Sequence, residues 1–406
     1  MRTLHGHPSA HAAPAPRRQA MGAWWQPALG LACALAPGAS QAHVKWFSTE
    51  ADCRVPPLPA LHVLAGTEFF ALGVASLLVL AMAARLEPHA RPWVPALPPH
   101  LDGAVPHALR LSLAGFFAIV AFYFQPSVYL TPELRAAGGW VAPLQAGIAA
   151  SLLGRRTAWL GALGMAALYG AAALDYGWFH LLDYPVFLAA ALAVALDAWQ
   201  PGRHHRLALG LLRLGAGVTL MWAGAEKWLY PWWSHPMLDH ELAALRGSLS
   251  SQFIMAAAGW VEFCAAYALV FGRVGTQVAA WVLLLPFVAA IPVFGVVDAI
   301  GHAPIIVVLL ILGVTRTTLP ARWQHVGTTD FALGAVLGAI ALVGGYWLLQ
   351  RLAHPRAAEA APHDVAAAVL MLLPLLAFVR ARTAPACPAQ ALAHARPSAT
   401  PLEPRP

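Results

Sequence analysis

Glu226 and Lys227 stand side by side in the stretch WAGAEKWLYPWW, Trp222 to Trp233, where a long apolar run meets a cluster of tryptophans and a tyrosine. A carboxylate and an ammonium at such a place can exchange protons, hold an ion, or only mark the end of a membrane helix. Adjacent helical residues point about 100° apart, so these two cannot face the same partner. Trp228, Tyr230, Trp232 and Trp233 make the aromatic belt expected at a membrane interface, where Lys227 is expected to snorkel. Two charges lie deeper. Arg213 sits about 9 Å above the inner end of its apolar run and Glu262 about 13 Å above the inner end of the next, at about 1.5 Å per residue. Similar depth on consecutive antiparallel helices predicts an intramembrane Arg213–Glu262 ion pair with Trp260 nearby, because an isolated charge there costs several kcal/mol. Such a pair either locks two helices together or handles protons or a quinone.

Histidines suggest a second chemistry. A chain cleaved before His43 would offer an amine and an imidazole to copper, and His62, His235 and His240 fall on the same expected face. These four are candidate copper or zinc ligands. Pro236 interrupts the His235–His240 spacing, which is poorer than the i,i+4 register that aligns helical ligands. Asp298 and His302 in DAIGHAP, together with Trp222 and Trp260, are candidate cofactor-lining residues, the first two at the membrane rim. The chain has no Walker loop, no glycine-rich nucleotide turn and no CxxCH for covalent haem. Deep histidines on facing spans, as b-type haem requires, are missing, so any electron carrier is a quinone or a partner protein. Cys53, Cys264 and Cys387 fall in three environments, and no internal disulfide is expected.

The elements that must position these groups are membrane helices. Of 406 residues 59% are hydrophobic and 11% charged, and apolar runs recur in blocks of about 20 residues, the length of a helical span. Uninterrupted Leu, Ala and Val runs exclude a barrel, so the fold class is an all-α polytopic bundle. About eleven spans are expected, near 60–84, 105–125, 139–153, 157–174, 182–196, 207–227, 251–271, 275–297, 303–315, 330–349 and 365–379. Residues 1–42 read as a signal peptide: Arg17 and Arg18 form the basic region, Ala23 to Ala36 the apolar one, and Ser40-Gln41-Ala42 the cleavage site. A short periplasmic segment, 43–59, precedes the first span and its loop, 60–104. Two C-terminal spans, 317–380, lead into an Ala- and Pro-rich tail, 381–406, read as disordered and cytoplasmic.

Arg85, Arg110, Arg155, Arg156, Arg203, Arg206, Arg273 and Arg316 gather on one side of this arrangement, which places the mature N-terminus outside a bacterial-type inner membrane and the C-terminus in the cytoplasm. The net charge of +7 therefore reports topology, and the expected partners are the bilayer and a periplasmic or membrane protein, with no nucleic acid. Acids and histidines, among them Glu133, Asp175, Asp183, His180, Asp298 and His302, collect on the opposite, outer side.

The chain also repeats a pattern. Arg110, Gly139-Trp140-Val141, Gly154-Arg155, His180 and Pro185 are matched in order by Arg213, Gly259-Trp260-Val261, Gly272-Arg273, His302 and Pro304. This predicts two tandem four-helix units, 105–200 and 201–316, the first degenerate. The second, with LLRLGAG, WAGAEKW, GWVEF and the FGR turn, resembles the DoxX-like four-helix membrane proteins. The resemblance covers about residues 207–316 and implies that Arg213, Gly224, Lys227, Glu262 and Gly272 hold the family's motif positions. It also implies quinone-dependent oxidation of sulfur compounds or a part in oxidative-stress complexes, since some members are linked to these. Glu262, Arg213 and Lys227 then become the candidate catalytic residues. Two other functions fit the sequence: a cation or small-solute transporter using the acidic, His-rich outer face, and a non-catalytic assembly or anchoring protein docking through the aromatic loop 230–250.

Overall fold

The computed structural model describes residues 54–90, 94, 96–240, 242–272, 275–316, 327–355 and 362–383. The signal-like stretch 1–42, His43 and the tail beyond residue 383 lie outside the described residues. Those residues form helices α1 Ala60–Ala65, α2 Thr67–Ala90, α3 Val105–Tyr123, α4 Val141–Leu153, α5 Ala158–Tyr176, α6 Pro185–Trp199 and α7 His205–Leu229. Two short turns of helix follow, α8 His235–Asp239 and α9 Ala243–Arg246, and then α10 Ser251–Phe271, α11 Gly275–Val314, α12 Thr328–Ala353 and α13 Pro362–Thr383. No strand occurs among the described residues; a single antiparallel bridge joins Val128 to Arg135 in the α3–α4 connection.

Eight helices are long and apolar enough to cross a membrane, and α4 and α6 are shorter apolar helices. One of the eight, α11, is bent at Gly295, where φ is 74° and the helix is interrupted. Counted as two segments, with α4 and α6 included, these helices coincide one for one with the apolar stretches read from the sequence. The protein is thus a multi-pass helical membrane protein. Large apolar side chains such as Leu78, Val79, Leu174 and Leu370 are exposed on its outside, as a lipid-facing surface requires.

Local chemistry explains the helix ends. Pro185 opens α6 at a position whose N–H has no helical acceptor. Ser250 caps α10 by accepting the Phe253 N–H at 3.0 Å. α5 stops at Gly177, whose φ of 87° favours glycine.

Two apolar cores result. One packs α3 to α6 around Phe117, Leu113 and Leu168 and continues into the first half of α7 and both arms of α11. The other packs α2, the end of α7, α10, α12 and α13 around Trp228, Phe263, Tyr346 and Trp347. Helix α7 belongs to both, and its closest neighbours are α10 and α6. Within each expected unit the pairing order is the same: α3 with α4, α4 with α5 and α5 with α6, then α7 with α10 and α10 with α11. The first helix of each also meets the last part of the other, α7 against α6 and α3 against α11.

Candidate functional site

Helix α7 carries three buried charges, and each finds a different partner. Arg213 is 5% exposed, and it donates to the carbonyl oxygens of Leu269 at 3.1 Å, Val270 at 2.6 Å and Gly272 at 3.1 Å. These carbonyls belong to the last turn of α10 and the residue after it, where backbone acceptors lack helical donors and the helix dipole is negative. The expected Arg213–Glu262 pair is therefore not the one formed. The guanidinium is balanced by a helix end, which depth along the span alone does not reveal.

Glu262 pairs with Lys227. Lys227 Nζ lies 2.6 Å from Glu262 Oε2, with the side chains 4% and 1% exposed. The expected outward snorkelling of Lys227 does not occur. Side chains on a helix tilt toward its N-terminus, and Nζ runs back one turn, 3.4 Å from the Ala223 carbonyl, toward the middle of the span. The pair is possible because α7 and α10 touch backbone to backbone. A Cβ on Gly224 would lie 3.1 Å from the Gly259 carbonyl oxygen, and one on Gly259 would lie 2.9 Å from that of Gly224 and 2.3 Å from Trp228 Nε1. Glycine is what allows this crossing. Within the pair Glu262 Oε2 accepts from Lys227, whereas Glu262 Oε1 is buried with no hydrogen-bond donor among the described residues.

Glu226 points the other way, as the 100° step requires. It is 8% exposed and accepts from Tyr346 Oη of α12 at 3.0 Å. The sequence identified no partner for Glu226. Tyr346 was missed because its only signal is a hydroxyl in an apolar run more than a hundred residues away. Trp222, on the same face as Glu226, lies with its ring centroid 4.4 Å from that of Tyr346. Trp260 faces α2 instead: its Nε1 donates to the Phe69 carbonyl at 2.9 Å and its ring packs against Phe69 and Trp228, each at 4.9 Å. The residues flanking the ion pair on α7 and α10 thus reach aromatic groups on two further helices, Tyr346 of α12 and Phe69 of α2.

Asp298 and His302 form a second buried pair just beyond the α11 break. His302 Nδ1 is 3.0 Å from Asp298 Oδ1, one helical turn apart, with both side chains under 4% exposed. They are enclosed within the bundle, and the Phe287 ring lies 4.9 Å from the imidazole. The described metal candidates, His62, His235 and His240, form no metal-holding group. His62 and His240 are exposed and His235 half-buried, and no group of three or more His, Cys, Asp or Glu able to hold a metal occurs among the described residues.

A further ionisable network ties the α3–α4 connection to the end of α5 and the start of α6. Glu133 Oε1 accepts from Tyr184 and lies 3.0 Å from His180 Nε2, while Tyr129 donates to Asp175 at 2.5 Å. The Asp175 bond, with burial, raises the Tyr129 hydroxyl to about 12.

Comparison with known protein families, curated proteins and solved structures returned no match.

Proposed function

We propose that this chain is a DoxX-like membrane component of quinone-linked redox or oxidative-stress chemistry, in which the Lys227–Glu262 pair exchanges a proton. The carrying observation is the pair itself: a lysine and a glutamate almost wholly buried between membrane helices, with one carboxylate oxygen lacking a donor among the described residues. Intramembrane ionisable residues are costly and mark proton or ion routes. A buried pair stabilises a fold less than an apolar pair of the same shape does, so helix adhesion alone is a weak reason for it.

The resemblance supports the same reading. Gly224, Lys227 and Glu262, three of its motif positions, meet at one helix crossing, and Arg213 and Gly272 meet at the other end of α10. Reducing a quinone to a quinol takes up two electrons and two protons. On this proposal the electrons come from an outer-face donor or partner protein, and Glu262 passes protons while Lys227 holds its charge in check. In the proposed orientation Lys227 stands near the periplasmic end of α7 and Glu262 near the middle of α10.

The test is purification in mild detergent followed by solvent extraction of bound quinone, comparing wild type with Glu262→Gln. The reading expects quinone in both, with proton uptake on quinone reduction lost in the variant although quinone stays bound. Wild type without quinone and without proton uptake on quinone reduction defeats it.

A second reading, transport of a cation or small solute, is favoured by the break in α11 at Gly295 beside the buried Asp298–His302 pair, since interrupted helices carry binding sites in transporters. Ion-dependent uptake into liposomes would separate it from the first.

A further inference from the structure

Away from the ion pair, a groove of about 530 Å³ lies on the outside of the bundle, between α5 and α6. It is lined by Trp159, Leu192, Ala195, Leu196, Ala198 and Trp199. Both tryptophans are open to the surroundings, 52% and 72% exposed. Trp159 stands in the first turn of α5 and Trp199 ends α6, so in these antiparallel neighbours the groove lies at one end of the two helices.

Two basic turns close that end. Arg155 and Arg156 lie in the turn entering α5, and Arg203 and Arg206 lie in the connection from α6 into α7 and its first turn. None of the four guanidinium groups has a hydrogen-bond or ion-pair partner among the described residues, unlike the buried Arg110 and Arg213. His204 is stacked on Trp199, with centroids 5.9 Å apart and planes 17° from parallel, which holds the second turn against the mouth of the groove. Full extension bounds the remaining reach: Arg156 Cα is within about 11 Å of Trp159 Cα, and Arg203 Cα within about 14 Å of Trp199 Cα. The one acid close by in the chain, Asp197, lines a neighbouring smaller cavity with Gln200, His204 and His205.

We infer that this groove is a binding site for an anionic phospholipid. An acyl chain lies along Leu192, Leu196 and the two tryptophans, and the phosphate is held by Arg155, Arg156, Arg203 and Arg206. A mostly apolar wall, polar only at the indole N–H groups of its two tryptophans, fits a lipid tail. Unpartnered arginines at the wall's end fit a phosphate, to which guanidinium binds through paired donors. Aromatic rings at the same level are what an interfacial headgroup region selects. Clustered basic residues flanking membrane helices attract anionic headgroups, and here they coincide with an apolar groove.

The inference is independent of the Lys227–Glu262 proposal. Its test is native mass spectrometry of the full chain in mild detergent, with equal amounts of phosphatidylglycerol and phosphatidylcholine supplied. Wild type should retain phosphatidylglycerol at least about tenfold more than phosphatidylcholine, in line with attraction by several basic residues. The combined Arg155→Gln, Arg156→Gln, Arg203→Gln and Arg206→Gln variant should lose that preference. Leu192→Trp, which fills the groove and keeps every charge, should lose the bound lipid too, so the inference stays testable if the fourfold variant misfolds. Arg85→Gln, a basic residue near the end of α2, should behave as wild type. Equal retention of the two lipids, full retention by Leu192→Trp, or displacement by excess inorganic phosphate alone would each overturn the groove as a lipid site.

Discussion

The segments 105–200 and 201–316 fasten their first pair of long helices in the same way and then part company. In the first, Arg110 of α3 donates to the Leu152 carbonyl and, at 2.5 Å, to that of Leu153, at the end of α4 just before Gly154. In the second, Arg213 of α7 does the same at the end of α10 around Gly272. Each arginine stands in for the missing helical donors of a buried C-terminus and meets its dipole, which is why neither needs a carboxylate. Only the second segment adds charged side chains within the two helices themselves beyond that arginine. In the first, α4 reads VAPLQAGIAASLL and has no charge, and its buried Gln145 donates to the Val128 and Tyr129 carbonyls instead, at 2.6 and 3.1 Å. The comparison teaches that the arginine belongs to the scaffold, whereas Lys227, Glu262 and Glu226 are additions that the scaffold does not require.

The largest effect expected from this contrast is at the ion pair. Glu262→Ala or Lys227→Met alone leaves one buried charge and should cost about 3–5 kcal/mol. The joint Lys227→Met, Glu262→Leu variant should melt at or above wild type. Thermal unfolding in detergent checks this, and a joint variant as unstable as either single one would make the pair part of the scaffold after all.

Next come the arginines, whose roles should be interchangeable in kind. Arg213→Ala and Arg110→Ala each strip a charged donor from buried carbonyls and should each destabilise by about 1.5–3 kcal/mol. Lysine should rescue Arg213 poorly, because a point charge cannot reach three carbonyls as a planar fork does. A marked difference in unfolding between the two alanine variants would break the likeness between the units.

Smaller again is the effect of the glycine crossing. Gly259→Ala should cost about 1–3 kcal/mol by forcing α7 and α10 apart at Trp228. Gly147→Ala in α4 meets no atom within 4 Å and should be neutral or slightly favourable, as alanine is the better helix former. Paired melting curves measure the difference directly.

The smallest effect lies in the connection of the first unit. Tyr129 titrates near 12 in the folded protein against an ordinary value of 10, chiefly through its bond to Asp175. The unfolded state therefore loses this proton first, so the stability the bond contributes is complete below pH 10 and disappears as pH rises to about 12. Asp175→Asn should move the phenol titration, followed by ultraviolet absorbance, back toward 10. An unmoved titration would remove Asp175 as the cause.

Much of the helical plan was legible in the sequence. Apolar runs of span length placed the helices, since a bilayer leaves the backbone no partner but itself. Arg110 and Arg213, matched by the order of Arg, Gly and Pro landmarks, each donate to carbonyls at the end of the next long helix. Within the candidate site, Lys227 and Glu262 were both singled out, but each was assigned the wrong neighbour. Depth along a span is read from residue counting, whereas the azimuth of a side chain and the partner helix it meets are not. Lys227 looked like a snorkelling terminus because only its position near the interface was visible, and the tilt of the side chain toward its own N-terminus decided the matter.

By itself the sequence determined that this is a multi-pass helical membrane protein, and that Glu226 and Lys227 must serve different neighbours. The first follows from hydropathy and the second from the geometry of one helix, and both are local properties. The tertiary structure alone decided that Lys227 goes to Glu262, Glu226 to Tyr346 and Arg213 to a helix end. Those choices depend on which backbones approach most closely. That approach is set at Gly224 and Gly259, residues on separate helices whose meeting no count along the chain reveals.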